Sequence, residues 1–109
     1  MDGISPSLER YMDLVSMRQK MVSSNIANAD TPGYKTKDLD FQASFRSMLD
    51  GGGPRPAEVQ GLATKNDGNN VDLDREARLL AENSLRFSIA SSLMKSQFTT
   101  IKEAIKEGN

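Results

Sequence analysis

Residues 25–35 read NIANADTPGYK: Asn25, Ile26, Ala27, Asn28, Ala29, Asp30, Thr31, Pro32, Gly33, Tyr34 and Lys35. A residue that precedes proline is pushed out of the α region, so any helix entering this stretch ends before Thr31. Pro32 and Gly33 suit the two central positions of a type II turn, the second of which needs positive φ. Asn25, Asn28 and Asp30 carry side chains able to bond the backbone groups that a helix end leaves unpaired. The stretch therefore specifies a helix exit and a rigid turn. A well-made helix end accounts for it without any further role.

Upstream, Leu8, Tyr11, Met12, Leu14, Val15, Met17, Met21, Val22 and Ile26 recur at spacings of three and four, which predicts an amphipathic helix over about residues 8–27. Pro6 suits the entry, with Ser5 or Ser7 as cap. The stripe is broad and rich in methionine, a side chain that adapts to its neighbours. Two readings stand together here: a core-facing stripe in a bundle, or a surface that packs on other chains.

Downstream, residues 34–39 are expected to run extended. Asp38 or Asp40 then caps a short helix holding Phe41, Phe45, Met48 and Leu49 on one face. Periodicity favours docking of this helix on the chain's own long helices over an anchor for a partner. Residues 50–70, DGGGPRPAEVQGLATKNDGNN, are dominated by Gly, Pro, Asn and Asp and read as a flexible loop. GGGPRP lacks the ending of a phosphate loop, and placing Gly68 at the glycine of a calcium loop puts Ala63 and Lys65 where carboxylates belong.

The last segment is the most regular. Leu73, Ala77, Leu80, Ser84, Phe87, Ser91, Met94, Phe98, Ile101 and Ile105 alternate spacings of four and three, a heptad seam. Asp72 is the expected cap and Gly108 the expected stop, which gives a helix of roughly 50 Å. Leu85, Ile89 and Leu93 form a second stripe away from the seam. A long helix with two apolar faces requires partners on both sides, the N-terminal helix on one and neighbouring subunits on the other. The predicted fold is all-α, one core unit in three parts. Residues 1–49 hold the N-terminal helix, the turn and the short helix; 50–70 form the loop; 71–109 form the long helix, paired with the first as a coiled coil.

Composition narrows the function. The chain has 109 residues, 37% hydrophobic and 6% aromatic, which is lean for a compact interior. Fourteen basic against 15 acidic residues, spread evenly, offer no phosphate-neutralising surface, so a nucleic-acid partner is not expected. No apolar run approaches the ~20 residues that span a bilayer, and the N-terminus lacks the pattern of a cleavable signal. With no histidine and no cysteine, the usual metal ligands and the usual general base are absent. Asp72, Asp74 and Glu76 cluster at a helix start, where the macrodipole accounts for them. No enzyme, cofactor or small-molecule substrate is expected.

NIANADTPGYK resembles the signature of the bacterial flagellar axial proteins, the rod and hook family. A second block at residues 67–76, DGNNVDLDRE, with Leu80-Ala81-Glu82-Asn83 and Leu85-Arg86-Phe87 after it, is similar to the C-terminal signature of basal-body rod members. The resemblance covers nearly the whole chain outside residues 50–66. It implies a structural subunit that assembles helically into the proximal rod with copies of itself and related rod proteins. It also implies contact with membrane-ring and export-gate proteins of the basal body, and a place in the periplasmic space reached by type III export without a cleaved signal. On the same resemblance Phe41 and Phe45 match the family's export-gate motif, which raises the partner-anchor reading of both. The short middle region leaves no room for the outer domain of hook and distal-rod relatives. The alternative, a cytoplasmic coiled-coil adaptor or chaperone-like protein, fits the composition and the heptads equally well.

Overall fold

A computed structural model describes residues 5–107. The elements are helix α1 (Pro6–Ala27), strand β1 (Lys37–Leu39), helix α2 (Phe41–Leu49), strand β2 (Pro56–Glu58) and helix α3 (Leu73–Glu107). The expected Gly108 stop lies outside the described residues.

Each helix begins where a short polar side chain meets free N–H groups. Ser5 caps α1, its hydroxyl accepting from the Leu8 N–H, with Pro6 at the first helical position. Asp40 caps α2 through the Ala43 N–H. Asp38, the other candidate, is buried and bound elsewhere. Asp72 caps α3 by accepting from the N–H groups of Asp74 and Arg75.

One element was not expected. Residues 50–70 contain β2, which pairs antiparallel with β1 in the register Lys37–Glu58, Asp38–Ala57, Leu39–Pro56. All of Pro56, Ala57 and Glu58 are exposed, so no alternation of apolar and polar residues marks the strand. Backbone pairing holds it, extended by the Val59 N–H donating to the Thr36 carbonyl.

Helices α1 and α3 run antiparallel. Asn25 near the end of α1 meets Glu76 at the start of α3, and Ser5 at the start of α1 meets Gln97. Helix α2 lies across α1, its Phe41 and Phe45 rings edge-on to Tyr11 at centroid distances of 5.4 and 5.8 Å. The molecule measures 68 × 26 × 17 Å.

The interior inverts the usual balance. Among the described residues the buried apolar side chains are Leu8, Leu14, Val15, Val22, Leu39 and Ala90. More polar ones are buried: Asn25, Thr36, Asp38, Ser44, Asn69, Asn70, Glu76 and Asn83. Meanwhile Leu73, Leu85, Phe87, Ile89, Leu93, Phe98 and Ile105 on α3 are all exposed.

Candidate functional site

Two features stand out: a polar junction where both ends of the chain meet, and the apolar flanks of α3.

The junction is centred on Asn25, which is 1% exposed. Its Nδ2 donates to the Lys37 carbonyl at 2.8 Å and to Glu76 Oε1 at 2.6 Å. Its Oδ1 accepts from the Tyr34 hydroxyl at 2.8 Å and the Lys37 N–H at 3.2 Å. One side chain thereby joins α1, the turn, β1 and α3. Its full hydrogen-bonding capacity is used, as burial requires.

The turn itself has the expected form. The Tyr34 N–H donates to the Thr31 carbonyl, and Gly33 has φ of 76°. Asn28 closes α1 through its N–H and its Nδ2, both donating to the Ser24 carbonyl. Ala27 is the last helical residue, Ile26 is exposed, and Asp30 and Pro32 face solvent. Asp30 makes no side-chain hydrogen bond among the described residues, unlike Asn25 and Asn28.

The turn is also a receptor for residues 65–71. Asn69, fully buried, donates from Nδ2 to the carbonyls of Asn28 and Thr31, both at 2.8 Å. Gly33 N–H donates to the Asp67 carbonyl, and Asn70 N–H to that of Tyr34. Asn70 Oδ1 accepts from the Thr36 N–H at 2.7 Å. Lys65 Nζ reaches the Ala29 carbonyl and Lys35 Nζ the Gly68 carbonyl. Gly68, at φ 88°, sits so close that a Cβ on it would lie 3.3 Å from the Gly33 Cα. The two sequence blocks, 25–35 and 67–76, are the two halves of one clasp.

Charge completes it. Asp38 receives Arg18 through both carboxylate oxygens at 3.0 Å and Arg75 at 2.6 Å. Arg75 also bonds Glu76 at 2.6 Å. Two cations face two anions, so the buried group is neutral as a set. Burial alone opposes ionisation of Asp38. The bonds from Arg18, the Leu39 N–H and Arg75 outweigh it and hold the carboxyl below its ordinary value. For Arg75, burial again opposes the charge, and the bonds to Asp38 and Glu76 overcome it and raise the pKa.

Helix-dipole logic accounts for Asp72 and Asp74 but is incomplete for Glu76, which is 0% exposed and bound to Asn25 and Arg75. Arg18 escapes the sequence reading altogether, Asp38 enters it only as a candidate helix cap, and Asn69 and Asn70 are singled out within a block without their bonds. A usable signal for one existed: Tyr11, Arg18 and Asn25 recur every seven residues on α1.

The flanks of α3 depart from the expected packing. The helix presents Glu76, Asn83, Ala90 and Gln97 to α1, not its apolar seam. Asn83 Nδ2 donates to the Val15 carbonyl at 2.9 Å and Gln19 Oε1 at 3.0 Å, and Gln97 Oε1 accepts from the Ser5 N–H at 3.0 Å. Of the seam, Leu80, Met94 and Ile101 are half-buried; Leu73, Ala77, Phe87, Phe98 and Ile105 are exposed. Leu85, Ile89 and Leu93 are exposed on the other side. Phe41 and Phe45 are half-buried against Tyr11, with the Arg86 guanidinium 4.4 Å above the Phe41 ring. Among the described residues no helix is long and apolar enough to cross a membrane.

The stretch that ends α1 and forms the turn is similar to flagellar rod proteins: the family model described as "Flagella basal body rod protein" matches residues 14–35. Curated relatives extend the match. "Flagellar basal body rod protein FlgB" of Escherichia coli K12 is 30% identical over 126 aligned positions, covering 93% of this chain and 91% of that protein. The proteins of the same name in Bacillus subtilis 168 and Borrelia hermsii are 27% and 28% identical, covering 97% and 89% of this chain and 95% and 91% of theirs. The chain belongs to the FlgB family of flagellar basal body rod proteins.

Proposed function

We propose that this chain is a structural subunit of the proximal rod, assembling helically with copies of itself and related rod proteins into the axial drive shaft. A part of this kind bears load and carries no catalytic activity. Its place is the basal body, in the periplasmic space, next to membrane-ring and export-gate proteins. It travels there by type III export without a cleaved signal, and Phe41 and Phe45 are read by the export gate before assembly. The seam Leu73, Ala77, Leu80, Phe87, Met94, Phe98, Ile101 and Ile105 then packs as a coiled coil on neighbouring helices.

The observation that carries this reading is the surface left uncovered. A compact protein of 12.0 kDa exposes about 6,000 Å²; this chain exposes 7297 Å². The excess is of the size that a protein contact removes from water, on the order of 800 Å² per partner. Leu73, Leu85, Phe87, Ile89, Leu93, Phe98 and Ile105 of α3 are part of that exposed surface.

The test is genetic and biochemical. Deletion is expected to abolish motility, with assembly stalled before the hook, and an epitope-tagged chain is expected in purified hook–basal bodies. Normal hooks in the deletion strain, or a tag confined to the cytoplasm, would overturn the assignment. The second outcome is the one the adaptor reading requires.

A further inference from the structure

Hydrophobic patterning predicts that α3 turns its seam toward α1, yet a line of mostly polar residues faces inward. Glu76, Asn83, Ala90 and Gln97 follow one another at intervals of seven. On one side of this line stand Leu80, Phe87 and Met94; on the other stand Leu79, Arg86 and Leu93. A modest roll of α3 about its axis would bring Phe87 down on Val15 and bury apolar surface that is now wet. Such burial is favourable in proportion to its area. Something holds the helix back from that roll.

The structure places a restraint at three levels. At the base, Glu76 is fixed by Asn25 and Arg75. In the middle, Asn83, 3% exposed, reaches the Val15 carbonyl and Gln19. At the far end, Gln97 takes the Ser5 N–H, a free group at the start of α1. The outcome is a helix centred over α1 with an open apolar groove on either side. One is lined by Val15, Ser16, Gln19, Ser84 and Phe87. The other is lined by Leu8, Tyr11, Phe45, Ile89 and Leu93. A roll in either direction would close one of them.

We infer that Asn83 and Gln97 are positioning residues that fix the roll of α3 and so keep both apolar flanks uncovered. They act through the orientation of the helix, Asn83 from the floor of the Phe87 groove and Gln97 from that of the Leu93 groove. The clasp sets the register at one end, and these two amides carry the rotational setting along the rest.

The chain has no cysteine, so single thiols report cleanly. Ser84→Cys marks the Phe87 flank and Ile89→Cys the opposite one; both positions are exposed. Maleimide labelling rates are measured for each in the full-length parent chain and in the Asn83→Ala/Gln97→Ala background, with circular dichroism alongside. The expected result is a split: labelling at position 84 slows several-fold while that at position 89 is unchanged or faster, at constant helix content. Mere destabilisation would raise both rates together, and that result would overturn the assignment. So would unchanged rates at both positions, or parent-chain thiols that label as fast as those of an unfolded peptide. The assay uses the isolated chain, so its failure is separable from failure of the rod reading, which rests on cells and purified basal bodies.

Discussion

Asn25 makes bonds to three other segments from a position closed to water, and its loss strands the partners. Asn25→Ala leaves Glu76 buried with one partner fewer and the Lys37 carbonyl without its side-chain donor, so we expect a cost of about 2–4 kcal/mol in chemical denaturation. Asp30→Ala, five residues on and exposed, should stay within about 0.5 kcal/mol. The two glycines of the clasp separate in the same way. Gly33→Ala meets open space and bears only the strain of positive φ, about 1 kcal/mol. Gly68→Ala bears that strain and also presses its methyl on Gly33, so it should cost visibly more. Asp38 brings a pH dependence. Its folded pKa lies below the ordinary 3.8, because the Arg18, Leu39 and Arg75 bonds outweigh the opposing effect of burial. The stability it confers is therefore present above about pH 4 and lost as pH falls through the lower, folded value. Urea midpoints should fall steeply below pH 4 in the parent chain and much less in Asp38→Asn, which starts from a lower value at neutral pH.

At the level of elements, much was legible. Ser5-Pro6, Asp40 and Asp72 mark helix starts because they are short acceptors placed before free N–H groups, and Pro32-Gly33 marks an exit that no helix can pass. Strand β2 was not legible, since exposed Pro56-Ala57-Glu58 gives periodicity nothing to detect. Nor was the inward face of α3. A heptad count finds where apolar residues lie, but side-chain bonds from Glu76, Asn83 and Gln97 decided which face met α1. The clasp was half legible: both blocks could be singled out, and their mutual embrace depends on contacts some forty residues apart, such as Asn69 with Asn28. For α2, the edge-on rings of Tyr11, Phe41 and Phe45 predict that Phe45→Ala loosens this helix from α1. A loss of about 1–2 kcal/mol in thermal melts is expected, with α3 helicity retained. Phe45→Asp in cells should impair export or assembly; unimpaired motility would separate the residue from both.

The whole molecule is long for its mass. Its radius of gyration is 18.0 Å, where a compact chain of this length would have about 13 Å. Small-angle scattering of dilute protein should return a value near the larger figure, and one near the smaller would mean that the flanks of α3 fold back on the rest. The inverted interior has a thermal consequence too. The heat-capacity rise on unfolding comes from wetting apolar groups, while wetting polar groups lowers it. An inside with more polar side chains than aliphatic ones among the described residues should unfold with an increment below the usual ~12–15 cal/mol/K per residue. Calorimetry would then trace a shallow stability curve, one whose height changes little over tens of degrees.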